Sequence, residues 1–203
     1  FMSGSLPIDA IKNDLLASLS THQTTVLTAP PGAGKSTRLP LWLLQCALFS
    51  KQKIYLLQPR RVAAKNIATY LAGQLGEAVG HSVGYRLKNE TKVSQATRLE
   101  VITEGILTQI VQNDAELTGV GLIIFDEFHE RSLQGDLAFA LARDVQQGLR
   151  DDLKLLLMSA TLQSDQLLTA LPDAKGLVSE GRSYPIALSY QPPRLDKLWL
   201  EQV

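Results

Sequence analysis

The stretch Val26 to Thr37, Val-Leu-Thr-Ala-Pro-Pro-Gly-Ala-Gly-Lys-Ser-Thr, constrains this chain more than any other. A short apolar run stops at Ala29, a Pro/Gly turn follows, and Gly34-Lys35-Ser36-Thr37 opens a leucine-rich segment of helical character. Strand, glycine loop and helix in that order form a phosphate-binding loop. Gly32 and Gly34 have no Cβ, so the backbone can approach an anion closely. The loop Pro31-Gly32-Ala33-Gly34-Lys35-Ser36-Thr37 would wrap the phosphates, its amides and helix start supplying partial positive charge. Lys35 would reach the β- and γ-phosphates, and the Ser36 hydroxyl would ligate Mg²⁺. Ala29 stands where such loops usually have their first glycine. Alanine fits there provided its φ stays negative.

A second motif follows the apolar run Val120-Gly121-Leu122-Ile123-Ile124-Phe125, which ends in Asp126-Glu127-Phe128-His129-Glu130-Arg131. A buried strand that delivers Asp-Glu at its tip is a Walker B arrangement. Asp126 would hold Mg²⁺ opposite Ser36, with Glu127 close to the same ion. Glu127 would also orient and polarise the water that attacks the γ-phosphate. A zinc site on Glu127, His129 and Glu130 would need a second His four residues on, and position 133 is Leu. His129 is better read as a hydrogen-bonded link to the hydroxyls of Ser159-Ala160-Thr161 at a neighbouring strand end.

The rest of the chain supplies the frame. Apolar residues at three- and four-residue spacing predict helices over 7–20, 34–49 (kinked at Pro40), 60–75, 106–111, 137–145 and 167–171. Strands are expected at 24–29, 53–58, 83–87, 98–103, 120–125, 153–158, 177–179 and 186–190. Strands alternating with helices imply a mainly parallel sheet with helices on both faces, here a single RecA-like α/β domain. Ligands in such sheets bind at the carboxyl ends of the strands, where the phosphate loop, Asp126 and Ser159 all fall.

The 203 residues carry 20 basic and 20 acidic side chains, so bulk charge announces no polyanionic partner. A nucleic-acid contact would need a local basic patch, for which Arg60, Arg61 and Lys65 are candidates. The lone Cys46 excludes an intrachain disulfide and fits a reducing, cytoplasmic setting. The longest apolar run, 39–49, is too short and too interrupted to span a bilayer, so no membrane partner is expected. Residues 1–5 read as a start or cloning remnant.

Taken together, these motifs resemble the DEAH-box helicases of superfamily two, in that family's order. Gln58-Pro59-Arg60-Arg61-Val62-Ala63-Ala64 is similar to motif Ia, while Val83-Gly84-Tyr85 and Thr103-Glu104-Gly105-Ile106-Leu107 are similar to the next nucleic-acid motifs. Glu180 to Ile186 resembles the exit from the first RecA-like domain. Phe128 in place of the DEAH alanine, with Gly148 to Lys154, resembles the bacterial HrpB group. The resemblance implies an ATP-driven motor that moves along a single strand, usually RNA. It implies strand contacts by Arg60, Thr103 and Lys88, with Arg61 beside them, and coupling through Ser159 and Thr161. Tyr70 stands where many relatives have a base-stacking arginine, and its ring suits the same task for ATP.

Such motors have a second RecA-like domain whose arginines complete the active site, and nothing after Pro185 resembles one. The expected organisation is a first RecA-like domain over 6–185 and the start of a linker over 186–203. An arginine finger is worth roughly 10³–10⁵ in rate, so this chain alone is expected to bind nucleotide and hydrolyse it poorly. Two further readings stand beside this one: a nucleotide-gated binding module, and a P-loop kinase, which would leave motif Ia unexplained.

Overall fold

Eight apolar or half-apolar stretches become strands: β1 (Thr24–Thr28), β2 (Lys53–Gln58), β3 (Val83–Leu87), β4 (Glu90–Lys92), β5 (Leu99–Thr103), β6 (Val120–Phe125), β7 (Lys154–Ser159) and β8 (Lys175–Val178). In the computed structural model, which describes residues 6–160 and 164–179, they form one sheet in the order β4-β3-β5-β2-β6-β7-β1-β8. Every pairing is parallel except that of β3 with β4.

The central strands are apolar on both faces because both faces are covered. Leu27, Ile54, Leu56, Leu122, Ile124, Leu156 and Met158 join one core with α1 (Lys12–Thr21), α2 (Leu39–Gln45) and α3 (Arg61–Gln74). The alternate residues Val26, Tyr55, Leu57, Ile123, Phe125, Leu155 and Leu157 join a second core. That core is closed by α4 (Glu104–Asn113), α5 (Leu133–Gly148) and α6 (Ser164–Ala170). Side chains alternate faces along a strand, so each strand serves both cores. This is the RecA-like α/β fold that the sequence pattern implies.

The differences have local causes. The first helix opens as a 3-10 turn over Pro7–Ile11 before α1. The helix expected from Gly34 begins instead at Leu39, after a turn over residues 35–38. Gly34 lies at φ +98°, outside the helical region. Pro40 then sits in the first helical turn, where its missing N–H costs nothing, and no kink arises. The edge strand β4 was not expected, since Glu90-Thr91-Lys92 has no apolar alternation to betray it. Helix α3 stops as expected at Gly76, which takes φ +70° while the Glu77 and Gly76 amides close back on Ala72 and Gly73. The strand expected over 186–190 lies outside the described residues.

Candidate functional site

Parallel pairing sets the carboxyl ends of β6, β7 and β1 side by side. The phosphate loop leaves β1 through Ala29, whose amide donates to the Ser159 carbonyl at the tip of β7 (3.0 Å). Ala29 keeps a negative φ, which is why it can replace the usual glycine, whereas Gly32 at φ +77° and Gly34 at φ +98° could not be replaced so freely. Pro31 and Gly32 are exposed at the loop tip, Ala33 and Gly34 are buried, and Ser36 and Thr37 are half-buried. Lys35 is 5% exposed, and its ammonium donates to the carbonyls of Ala29 and, at 3.2 Å, of Pro30. Burial lowers its pKa, and the charges of Glu127 and Asp126 oppose that shift.

Asp126 is 4% exposed and held from three sides. Its Oδ1 accepts the Glu127 amide at 2.9 Å, its Oδ2 accepts the Gln58 side-chain amide, and the Ser36 hydroxyl bonds the same carboxylate. Burial pushes the carboxyl up, and those three donors, with Lys35, pull it back. The Ser36–Asp126 pair is an all-oxygen donor set of the kind Mg²⁺ takes when phosphate oxygens and water complete its shell. Among the described residues no group of three or more His, Cys, Asp or Glu side chains is placed to hold a metal unaided.

Glu127 turns the chain out of β6 in a left-handed conformation, φ 52° and ψ 34°, unusual for a non-glycine residue. Burial and then the charge of Asp126 raise its pKa. The next turn, Phe128–Glu130, is pinned by Phe128, whose ring meets Phe125 and Phe139 edge-on at 6.1 and 5.4 Å. The phenylalanine therefore anchors the turn in the second core. His129 Nε2 lies 3.3 Å from Glu127 Oε2, while its Nδ1 accepts the Ala160 amide at 3.2 Å. A link to the end of β7 is present, made through the Ala160 backbone amide. A backbone donor leaves no mark in sequence. Ser159 is buried beside it, and Thr161 lies outside the described residues.

The candidate strand-contact residues gather at the other half of the same edge, on β2, β5 and β3. Arg60 precedes α3, Thr103 precedes α4 with no cap bond from its side chain, and Lys88 lies in the turn from β3 to β4. Arg60, Arg61 and Lys88 are exposed. Two cations of this region are already engaged: Arg60 pairs with Glu130 (2.8 Å) and Lys65 with Glu90 (2.9 Å). Tyr70 is exposed on α3 and makes no hydrogen bond or ring contact among the described residues. A cavity of about 70 Å³, lined by Pro59, Glu104, Glu127, Ser132 and Asp136, separates the two halves. Ser132 closes it from below, donating to Glu104 (2.7 Å) while accepting the Gly135 amide to cap α5 (2.8 Å).

Sequence reasoning missed Gln58, Glu130 and Glu104 as partners within the site. Each stood inside or beside a motif, and only the register of β2 against β6 brings Gln58 level with Asp126.

A phosphate-type loop and a paired Asp-Glu strand tip on this RecA-like fold mark a P-loop NTPase domain. The DEAD/DEAH box helicase model matches residues 9–169, and the chain belongs to that family. Within it, the chain is 56% identical over 188 residues to the ATP-dependent RNA helicase HrpB of Escherichia coli, covering 93% of this chain and 23% of that protein. It is 35% identical to the ATP-dependent RNA helicase HrpA of Borreliella burgdorferi, over 94% of this chain and 23% of that protein. The crystal structure of the E. coli DEAH/RHA helicase HrpB superposes with a TM-score of 0.87 at 54% identity, across 96% of this chain and 25% of that one. The chain thus spans about a quarter of the length of these relatives.

Proposed function

We propose that this chain is the first RecA-like, ATP-binding domain (residues 6–185) of an ATP-dependent RNA helicase, which converts ATP hydrolysis into movement along a single strand. The observation that carries the reading is the convergence of Lys35, Ser36, Asp126 and Glu127 at the carboxyl ends of β1 and β6, which flank β7, with His129 tying Glu127 to the end of β7.

Residues 31–37 cradle the phosphates, and Lys35 exchanges the carbonyls of Ala29 and Pro30 for phosphate oxygens. Ser36 and Asp126, with Glu127 nearby, would hold Mg²⁺, which would supply neutralisation of phosphate charge. Glu127, with its raised pKa, takes a proton from the attacking water. His129 holds the Glu127 carboxylate and passes its position to the Ser159-Ala160-Thr161 segment. Arg60, Arg61, Lys88 and Thr103 grip the sugar-phosphate backbone of the strand, and Tyr70 offers a ring for the base of ATP.

The Glu127 side chain is 35% exposed, so the site is open on one side. We assign that open side to a second RecA-like domain reached through residues 186–203, whose arginines would complete the site. Steady-state ATP hydrolysis with and without single-stranded RNA, beside equilibrium binding of a fluorescent ATP analogue, tests this. Saturable binding with turnover far below that of a longer chain is expected. Brisk turnover by these 203 residues would overturn the need for a second domain.

A further inference from the structure

Gln58 closes β2 at the point where β2 lies against β6. The register pairs Leu57 with Phe125, and the Asp126 amide donates to the Leu57 carbonyl (3.1 Å), so the next residue along β2 is level with Asp126. Gln58 is 2% exposed, and its side-chain amide donates to Asp126 Oδ2. With the Glu127 amide on Oδ1, this bond fixes the plane of the carboxylate, so that the remaining lone pairs face the Ser36 hydroxyl. The buried Gln58 amide and the buried Asp126 carboxylate satisfy each other, and removing the amide would leave the carboxylate short of a donor and free to turn.

We propose that Gln58 is a positioning residue for the metal-ion step of nucleotide binding: it orients Asp126 so that Mg²⁺ meets a preset oxygen opposite Ser36. The inference rests on the proposed function and extends it to a residue that touches neither nucleotide nor metal. Partners of ligating carboxylates of this kind typically change metal affinity by about 10–100-fold when removed. Gln58 also lies two residues before Arg60, which pairs with Glu130, so one short segment grips the Asp126–Glu130 turn at both ends.

The test is Gln58→Met, which keeps length and volume and removes the donor. A fluorescent ATP analogue is titrated in EDTA and then across Mg²⁺ concentrations, with thermal melting alongside. Affinity in EDTA within twofold of wild type, an about tenfold higher Mg²⁺ requirement, and recovery at high Mg²⁺ would support the assignment. An unchanged Mg²⁺ requirement in a folded variant would overturn it. Gln58→Leu decides the matter if Gln58→Met does not fold, and failure of both to fold would make Gln58 a packing residue and sink the proposal. A wild-type chain whose nucleotide binding ignores Mg²⁺ would instead overturn the proposed function itself.

Discussion

The two halves of the sheet's carboxyl edge are built differently. On the side of β6, β7 and β1, Lys35, Asp126 and Ser159 are buried, each is bonded within the protein, and Glu127 holds a left-handed backbone. On the side of β2, β5 and β3, Arg60, Arg61 and Lys88 stand in solvent, and the ion pairs of Arg60 and Lys65 are exposed. Phosphoryl transfer depends on oxygens and charges set in place before the ligand arrives. A flexible polyanion is held by counterion release at exposed cations, which needs little preorganisation. Under the proposed function, one edge would serve two ligands with two levels of precision.

The difference can be broken most severely at Glu127. Glu127→Gln should lower turnover of a helicase containing this domain by about 10²–10⁴, the usual worth of a general base, while analogue binding stays close to wild type. The anchor beneath it comes next. Phe128→Ala removes the ring that packs against Phe125 and Phe139, and should cost about 3–5 kcal/mol in chemical denaturation, as aromatic truncations in cores do. A similar truncation on the other half, Val62→Ala at a 73%-exposed position, should change little.

A pH experiment sharpens the contrast. Asp126 and Glu127 have folded pKa values raised by burial, so folding takes up protons at these groups. Their favourable contribution is complete below the unfolded values of 3.8 and 4.5 and is lost as pH rises through the higher folded values. Glu127→Gln should therefore raise the Tm of the nucleotide-free domain at neutral pH, with the gain shrinking as pH falls toward the ordinary carboxylate range. A modest effect is expected at Glu130. Glu130→Gln frees Arg60 from an exposed pair, and single-stranded RNA affinity at low salt should rise, by no more than about fivefold given the worth of such pairs.

Much of this was legible because it rests on side-chain period and type. The continuous apolar runs of β2, β6 and β7 announced strands buried on both faces, and Gly34-Lys35-Ser36 and Asp126-Glu127 announced their chemistry. What escaped lies in backbone and register. Pro40 read as a kink because its segment was started too early, although proline in a first helical turn is ordinary. The edge strand at Glu90–Lys92 is charged and defined only by its hydrogen bonds to β3. The Ala160 amide that holds His129, and the Gln58 amide that holds Asp126, depend on which strands become neighbours.

The division of the edge is tested most directly by one paired measurement: equilibrium affinities for a fluorescent Mg²⁺–ATP analogue and for single-stranded RNA, in Lys35→Ala and Arg60→Ala. The account predicts that Lys35→Ala weakens nucleotide binding at least about tenfold, as loss of a charged hydrogen bond should, and leaves RNA affinity unchanged. Arg60→Ala should leave nucleotide binding intact and weaken RNA binding while lowering its salt slope by about one. Loss of nucleotide binding in Arg60→Ala, or intact nucleotide binding in Lys35→Ala, would contradict it.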